Sequence, residues 1–167
     1  MLEILKFFSR NISQILKTHF EGQTNSNLST LEEIRIRSNG TIILNFTKYQ
    51  DVLKNKICYD DIIQSLQIMC DNSIYSYQNE ICNGYITVKG GHRVGVTGNC
   101  VIREGKVINI NYISSINFRI ARQVIGCSNN VLQYILKNKE NSIYNTLIIS
   151  PPGIRKNYTL KRFNKKY

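Results

Sequence analysis

Leu147-Ile148-Ile149-Ser150-Pro151-Pro152-Gly153-Ile154-Arg155-Lys156 reads as an apolar strand running into a tight Pro/Gly turn, with a lysine three residues past the glycine. Strand, glycine-bearing loop and then a helix whose first amides face phosphate oxygens is how a phosphate-binding loop begins. The pattern G-x-x-x-x-G-K-[ST] asks for Gly-Lys-Thr at its end. This chain has Arg155, Lys156 and Asn157 there, and eleven residues follow Lys156. The stretch opens a parallel α/β unit and departs from the loop pattern at two positions.

The rest of the chain sets the frame for that stretch. Its 167 residues suit one ordinary domain, or a small domain plus a fragment. Hydrophobic residues at 42% are enough for a core, which excludes a disordered class. No apolar run approaches the roughly 20 residues of a membrane span. Residues 1–8 lack a charged n-region and a small-residue cleavage site, so no signal peptide is predicted and a cytoplasmic location is. Five cysteines (Cys58, Cys70, Cys82, Cys100, Cys127) form no C-x-x-C pair, and neither histidine has a ligand at helical spacing. Buried free thiols in a reducing compartment are expected, with no zinc site and no disulfide framework.

The net charge of +11 resembles a nucleic-acid or anionic-membrane footprint. Its distribution weakens that reading. Residues 154–167 hold six Lys/Arg and no acid, so removing them leaves +5 on residues 1–153.

Apolar residues from Leu2 to Leu16 fall near helical spacing and predict an amphipathic helix over 2–18. Residues 21–29 are polar and read as a loop. Ile34, Ile36, Ile42, Leu44 and Phe46 alternate with polar residues around Ser38-Asn39-Gly40, which predicts a hairpin. Asp60 and Asp61 open a helix, where the dipole favours negative charge, and are assigned no catalytic role. A second helical piece runs over 73–82 and stops at Asn83-Gly84. Strands are predicted over 85–88, 92–102, 107–110 and 116–120, with turns at 89–91 and 103–106. Ser128 caps a helix over 129–137, and 144–150 is the last strand. Glu32 and Glu33 begin a strand and read as surface residues.

Gly90-Gly91-His92-Arg93-Val94-Gly95-Val96-Thr97-Gly98 packs four glycines, a histidine and an arginine into nine residues. Such a stretch can bring backbone amides and Arg93 to an anion. It equally suits a hairpin whose glycines serve a turn and close strand packing. His92 reads as a strand-face polar residue rather than a base. Arg119 and Arg122 sit on a strand's polar face, where arginines are commonly solvated; the planar guanidinium fork also suits phosphate contact.

Taken together, several motifs resemble the stage III sporulation protein AA family of endospore-forming bacteria. They are Leu31-Glu32-Glu33-Ile34-Arg35-Ile36-Arg37, Gly84-Tyr85-Ile86-Thr87, the glycine-rich stretch just quoted, and Ile113-Ser114-Ser115-Ile116-Asn117-Phe118-Arg119-Ile120-Ala121-Arg122. Ile125-Gly126-Cys127 and Asn145-Thr146-Leu147-Ile148-Ile149-Ser150-Pro151-Pro152-Gly153 complete the set, in order, over residues 1–153. The family is similar to secretion-type ATPases. The resemblance implies an α+β N-terminal domain (helices plus antiparallel sheet) over 1–125, then the first strand of a RecA-like α/β core over 126–153. It further implies self-assembly into a ring, membrane proteins of the mother cell–forespore channel as partners, and a place on the mother-cell side. Arg93, Arg119 and Arg122 are the positions where phosphate-contacting arginines of such an N-terminal domain would fall.

The family pattern continues Pro-Pro-Gly-x-Gly-Lys-Thr-Thr-Leu-Leu. Arg155 stands for the second glycine, whose missing Cβ lets the backbone close on phosphate. Asn157 stands for the threonine that would ligate Mg²⁺. Ser150, Pro151, Pro152, Gly153 and Lys156 are thus a degenerate remnant of a nucleotide loop. The family's ATP and Mg²⁺ are not expected as cofactors of this chain, and no catalytic or metal-ligating residue is assigned. Codons for residues 154–166 can be chosen so that deleting one base after Ile154 yields Gly-Lys-Thr-Thr-Leu-Leu-Lys-Asp-Leu-Ile-Lys-Asn, a phosphate loop and its helix. Residues 154–167 are accordingly expected to be an out-of-frame basic tail on a truncated ATPase. The alternatives are a small basic nucleic-acid-binding protein, or a fragment that joins full-length subunits.

Overall fold

The computed structural model describes residues 2–38, 40–122, 134–137, 144–147 and 149. The chain divides into two units, Met1–Ala121 and Arg122–Tyr167.

In the first unit the expected helix over 2–18 is broken. Leu2–Phe7 forms a 3₁₀ turn, and α1 spans Arg10–Glu21. The break falls at Ser9, whose hydroxyl accepts the Ile12 N–H at 3.4 Å. Serine competes with helical backbone bonding and is favoured at a cap. The break also lets the consecutive Phe7 and Phe8 both be buried. The polar segment read as a loop contains a short helix, α2 (Asn25–Leu28).

Six strands follow: β1 (Leu31–Arg37), β2 (Ile42–Phe46), β3 (Gln50–Leu53), β4 (Tyr85–Val88), β5 (His92–Arg103) and β6 (Lys106–Arg119). Between β3 and β4 lie α3 (Tyr59–Met69), a 3₁₀ turn (Ile74–Tyr77) and α4 (Gln78–Cys82). The strands form one sheet in the order β3-β2-β1-β6-β5-β4, every neighbour antiparallel. The first unit is of the α+β class, helices with an antiparallel sheet, that the resemblance implied. Period-two alternation gives the sheet two unlike faces. Ile34, Ile36, Leu44, Val94, Ile116 and Phe118 are buried on one. They share a core with Ile12 and Leu16 of α1 and Ile62 and Leu66 of α3. Glu33, Arg35, Arg37, Asn45, Arg93, Asn117 and Arg119 occupy the other.

The two strand pieces predicted over 107–110 and 116–120 are one 14-residue strand, β6. Its pairing with β5 slips twice, between Thr97 and Asn99 and between Val101 and Ile102. At the larger slip Tyr112 takes φ +49°, and the strands close so tightly on Gly98 that a Cβ there would lie 2.6 Å from the Asn111 carbonyl oxygen. A β-bulge with a glycine at the close approach accounts for both.

Asp61, in the first turn of α3, is buried rather than a surface charge. It accepts hydrogen bonds from Ser9 Oγ (3.1 Å), Asn11 Nδ2 (2.9 Å) and the Cys58 N–H (3.1 Å), tying α1 to α3. The Ser9 N–H donates in turn to Ser65 Oγ at 2.8 Å. Burial alone would raise the Asp61 carboxyl. The Cys58 thiol and amide, Asn11 and Ser9 outweigh it and hold the group below the ordinary carboxylate range.

The expectation of buried thiols holds for Cys70 alone among the described cysteines; Cys58 and Cys100 are exposed and Cys82 is half-buried. Burial pushes the Cys70 thiol up to about 11. In the second unit the predicted helix over 129–137 falls mostly outside the described residues, whereas five of the seven residues of the strand predicted over 144–150 are described and do not form it. Residues 144–147 and 149 are in no strand, and Leu147 and Ile149 are each 84% exposed.

Candidate functional site

Strand register assembles the open face of the sheet into rows. Glu33 on β1 stands opposite Arg119 on β6, and Arg119 stands opposite Arg93 on β5. In the next row Arg35 stands opposite Asn117, Asn117 opposite Gly95, and Gly95 opposite Tyr85 on β4. Neighbouring strands lie about 4.8 Å apart, so the two arginines of the first row share one patch of surface. Both are exposed.

The one carboxylate in these rows is committed elsewhere. Glu33 accepts from Arg35 Nε at 2.8 Å and from Asn45 Nδ2. Burial would raise the Glu33 carboxyl, but bonds from Asn117 and Asn45 and the Arg35 charge outweigh it, so it stays ionised below the usual range. Among the described residues the ion pairs are Lys17–Glu21, His19–Asp51 and Arg35–Glu33. Arg93 and Arg119 enter none of them. Arg93 lies instead over the Tyr85 ring, 4.0 Å from its centre. Asn117 Oδ1 is buried among these groups without a hydrogen-bond partner.

Like charges directly opposite one another in a sheet are destabilising. Guanidinium groups that enter no ion pair among the described residues keep their donors and charge for an external anion, and the planar fork is the shape that pairs with a phosphate. Of the three arginines singled out from the sequence, the fold thus brings Arg93 and Arg119 together. Arg122 lies outside the sheet and opens the second unit. The loop residues Ser150, Pro151, Pro152, Gly153 and Lys156 lie outside the described residues.

Glu33, Arg35, Asn117 and Tyr85 are site neighbours that the sequence reading passed over. Glu33, taken there as plain surface, is half-buried and fully engaged. The alternation Glu33-Ile34-Arg35-Ile36-Arg37 carried the signal, since it puts three charges on one strand face. His92 has a structural part: its ring packs between Phe7 and Phe118, with centroids at 5.8 and 5.1 Å. Its Nδ1 accepts the Ala121 N–H at 2.9 Å, fastening the chain where it leaves β6. Among the described residues no group of His, Cys, Asp and Glu could hold a metal ion, and no helix is long and apolar enough to cross a membrane.

The sequence profile of the family described as Sporulation stage III, protein AA matches residues 2–165. Stage III sporulation protein AA of Bacillus subtilis (strain 168) is 36% identical over 131 residues, which are 78% of this chain and 42% of that protein. The chain therefore spans less than half the length of that relative. Among solved structures, the VirB11 ATPase of the Brucella suis type IV secretion system, in complex with sulphate, aligns at 10% identity with a TM-score of 0.40. That alignment covers 72% of this chain and 34% of that one, a likeness too slight to argue from. On the profile match and the Bacillus relative, this chain belongs to the stage III sporulation protein AA family.

Proposed function

We propose that this chain supplies the N-terminal domain of a sporulation ATPase and presents Arg93 and Arg119 to the phosphates of a nucleotide. The observation that carries the reading is the cross-strand arginine pair without a carboxylate. Such a pair costs stability in the absence of an anion and is offset by one. In this reading residues 126–153 correspond in sequence to the start of a RecA-like core. Family membership supports a role at the mother cell–forespore channel, with ring assembly, membrane-protein partners and a mother-cell location.

The 167-residue chain does not itself turn over ATP. Arg155 puts a side chain where the loop backbone must close on phosphate, and Asn157 removes the hydroxyl that would ligate Mg²⁺. A one-base insertion near Ile154 accounts for both changes. Sequencing the locus tests that account, and an intact frame without core sequence in any frame downstream would sink it.

The phosphate reading is tested by titrating inorganic triphosphate into the wild-type chain and into an Arg93→Ala/Arg119→Ala variant at low salt. The expected result is saturable binding that weakens at least about tenfold in the variant, as loss of charge-assisted bonds requires. Equal affinity in the two proteins would refute it. Mg²⁺-dependent ATP turnover by the purified chain would refute the statement about hydrolysis.

A further inference from the structure

Arg93 faces Thr87 across the β4–β5 pairing and Tyr85 faces Gly95, so Arg93 and Tyr85 are diagonal neighbours on the open face. That diagonal is within reach of a long side chain and an aromatic ring, and the Arg93 guanidinium lies 4.0 Å from the Tyr85 ring centre. The contact differs in kind from that of Arg35, which gives its Nε–H to the Glu33 carboxylate. A carboxylate partner consumes donors and cancels charge. An aromatic face holds a guanidinium while taking neither its N–H groups nor its charge.

Gly95 fits the same arrangement. A Cβ built there would meet Asn117 Cβ at 3.5 Å and two backbone oxygens at 3.9 and 4.0 Å, all ordinary contacts. Packing therefore does not demand a glycine, although glycine inside a strand costs stability. What the missing side chain provides is an open ring face opposite it, where Arg93 lies.

We propose that Tyr85, with the gap at Gly95, is a positioning residue that holds Arg93 beside Arg119 with its donors and charge available to a polyphosphate. The proposal rests on the phosphate reading above and deepens it: of the two arginines, Arg93 is pre-set by an aromatic contact. Fixing a flexible arginine before the anion arrives removes part of the ordering cost of binding.

The test compares the wild type with Tyr85→Phe, Tyr85→Leu, Gly95→Leu and Arg93→Ala, each titrated with inorganic triphosphate over a range of ionic strength and each melted thermally. Tyr85→Phe keeps the ring and is expected to bind like the wild type. Tyr85→Leu and Gly95→Leu are expected to bind about fivefold more weakly, with the salt dependence unchanged because no charge is lost. Arg93→Ala is expected to bind more weakly and with a shallower salt dependence. Should Tyr85→Leu melt early, Gly95→Leu decides, since leucine is better suited to a strand than glycine. Tyr85→Leu or Gly95→Leu proteins that stay folded and bind as tightly as the wild type would overturn the positioning role while leaving the phosphate reading standing. An Arg93→Ala protein that binds as tightly as the wild type would overturn both.

Discussion

Arg93 and Arg119 are direct cross-strand partners, 26 positions apart in the chain, and they face each other because the β5–β6 pairing is irregular. The turn sets Arg103 opposite Lys106, and three extra residues on β6 are absorbed at two slips before Arg93 is reached. Without them Arg93 would stand opposite Ile116, a core residue. The bulge that Gly98 permits supplies two of the three extra residues and the slip between Val101 and Ile102 the third, and both are needed to put two arginines on the same row of the open face.

Like charges on directly opposed residues are expected to oppose folding when no anion is bound. Replacing Arg119 with threonine removes a like-charge contact and adds a good strand former. Thermal or urea denaturation in phosphate-free buffer should show stability unchanged or raised by up to about 1 kcal/mol. Triphosphate binding by the same variant should fall. A marked loss of stability would mean that Arg119 has a structural partner.

Gly98→Ala tests the bulge. The added Cβ would meet the Asn111 oxygen at 2.6 Å, Ile110 Cγ2 at 2.8 Å and Ile113 Cα at 3.0 Å. Relief requires backbone movement, so urea denaturation should show a loss of about 1–3 kcal/mol. Triphosphate affinity should fall with it, because the slip places Arg119.

Asp61→Asn tests the link between α1 and α3. All the groups around the Asp61 oxygens donate, and an amide offers them one acceptor and one competing donor. The unpaired donors that result should cost about 1–3 kcal/mol on equilibrium unfolding. The sheet-face anion site should retain its affinity in whatever fraction stays folded.

The pH dependence follows from the same carboxylates. Asp61 and Glu33 are both held below their ordinary values in the folded chain. Their contribution is therefore full above the unfolded carboxyl range of about 4 and is lost as pH falls through the lower folded values. Stability should be level from about pH 7 to pH 5 on their account and decline below about pH 4. Asp61→Asn should make that decline shallower; an acid limb of unchanged steepness would assign it to other groups.

Much of the fold was legible in the sequence. The β1–β2 hairpin follows from alternation around Ser38 and Gly40, the β4–β5 hairpin from Lys89-Gly90-Gly91, and α3 from its apolar face. What was not legible has physical causes. Ser9 caps a helix inside a pattern that looks continuous, because buried Phe7 and Phe8 keep the apolar spacing on both sides of the break. β3 buries only half of each alternate residue at the sheet edge, so its period is weak. β6 was read as two strands because the bulge at Tyr112 resets its alternation. The arginines themselves were singled out from the sequence, but their pairing depends on that bulge and their freedom from carboxylates on the engagement of Glu33. Neither is a property of local sequence.

The most direct measurement is a titration of inorganic triphosphate followed through the arginine side-chain Nε–Hε resonances of the isotopically labelled chain, assigned with Arg93→Lys and Arg119→Lys variants. The account predicts that the Arg93 and Arg119 signals shift together and saturate at a common concentration, while Arg35, engaged with Glu33, moves little. Shifts confined to Arg155 and Arg162 of the basic tail, with Arg93 and Arg119 unmoved, would contradict it.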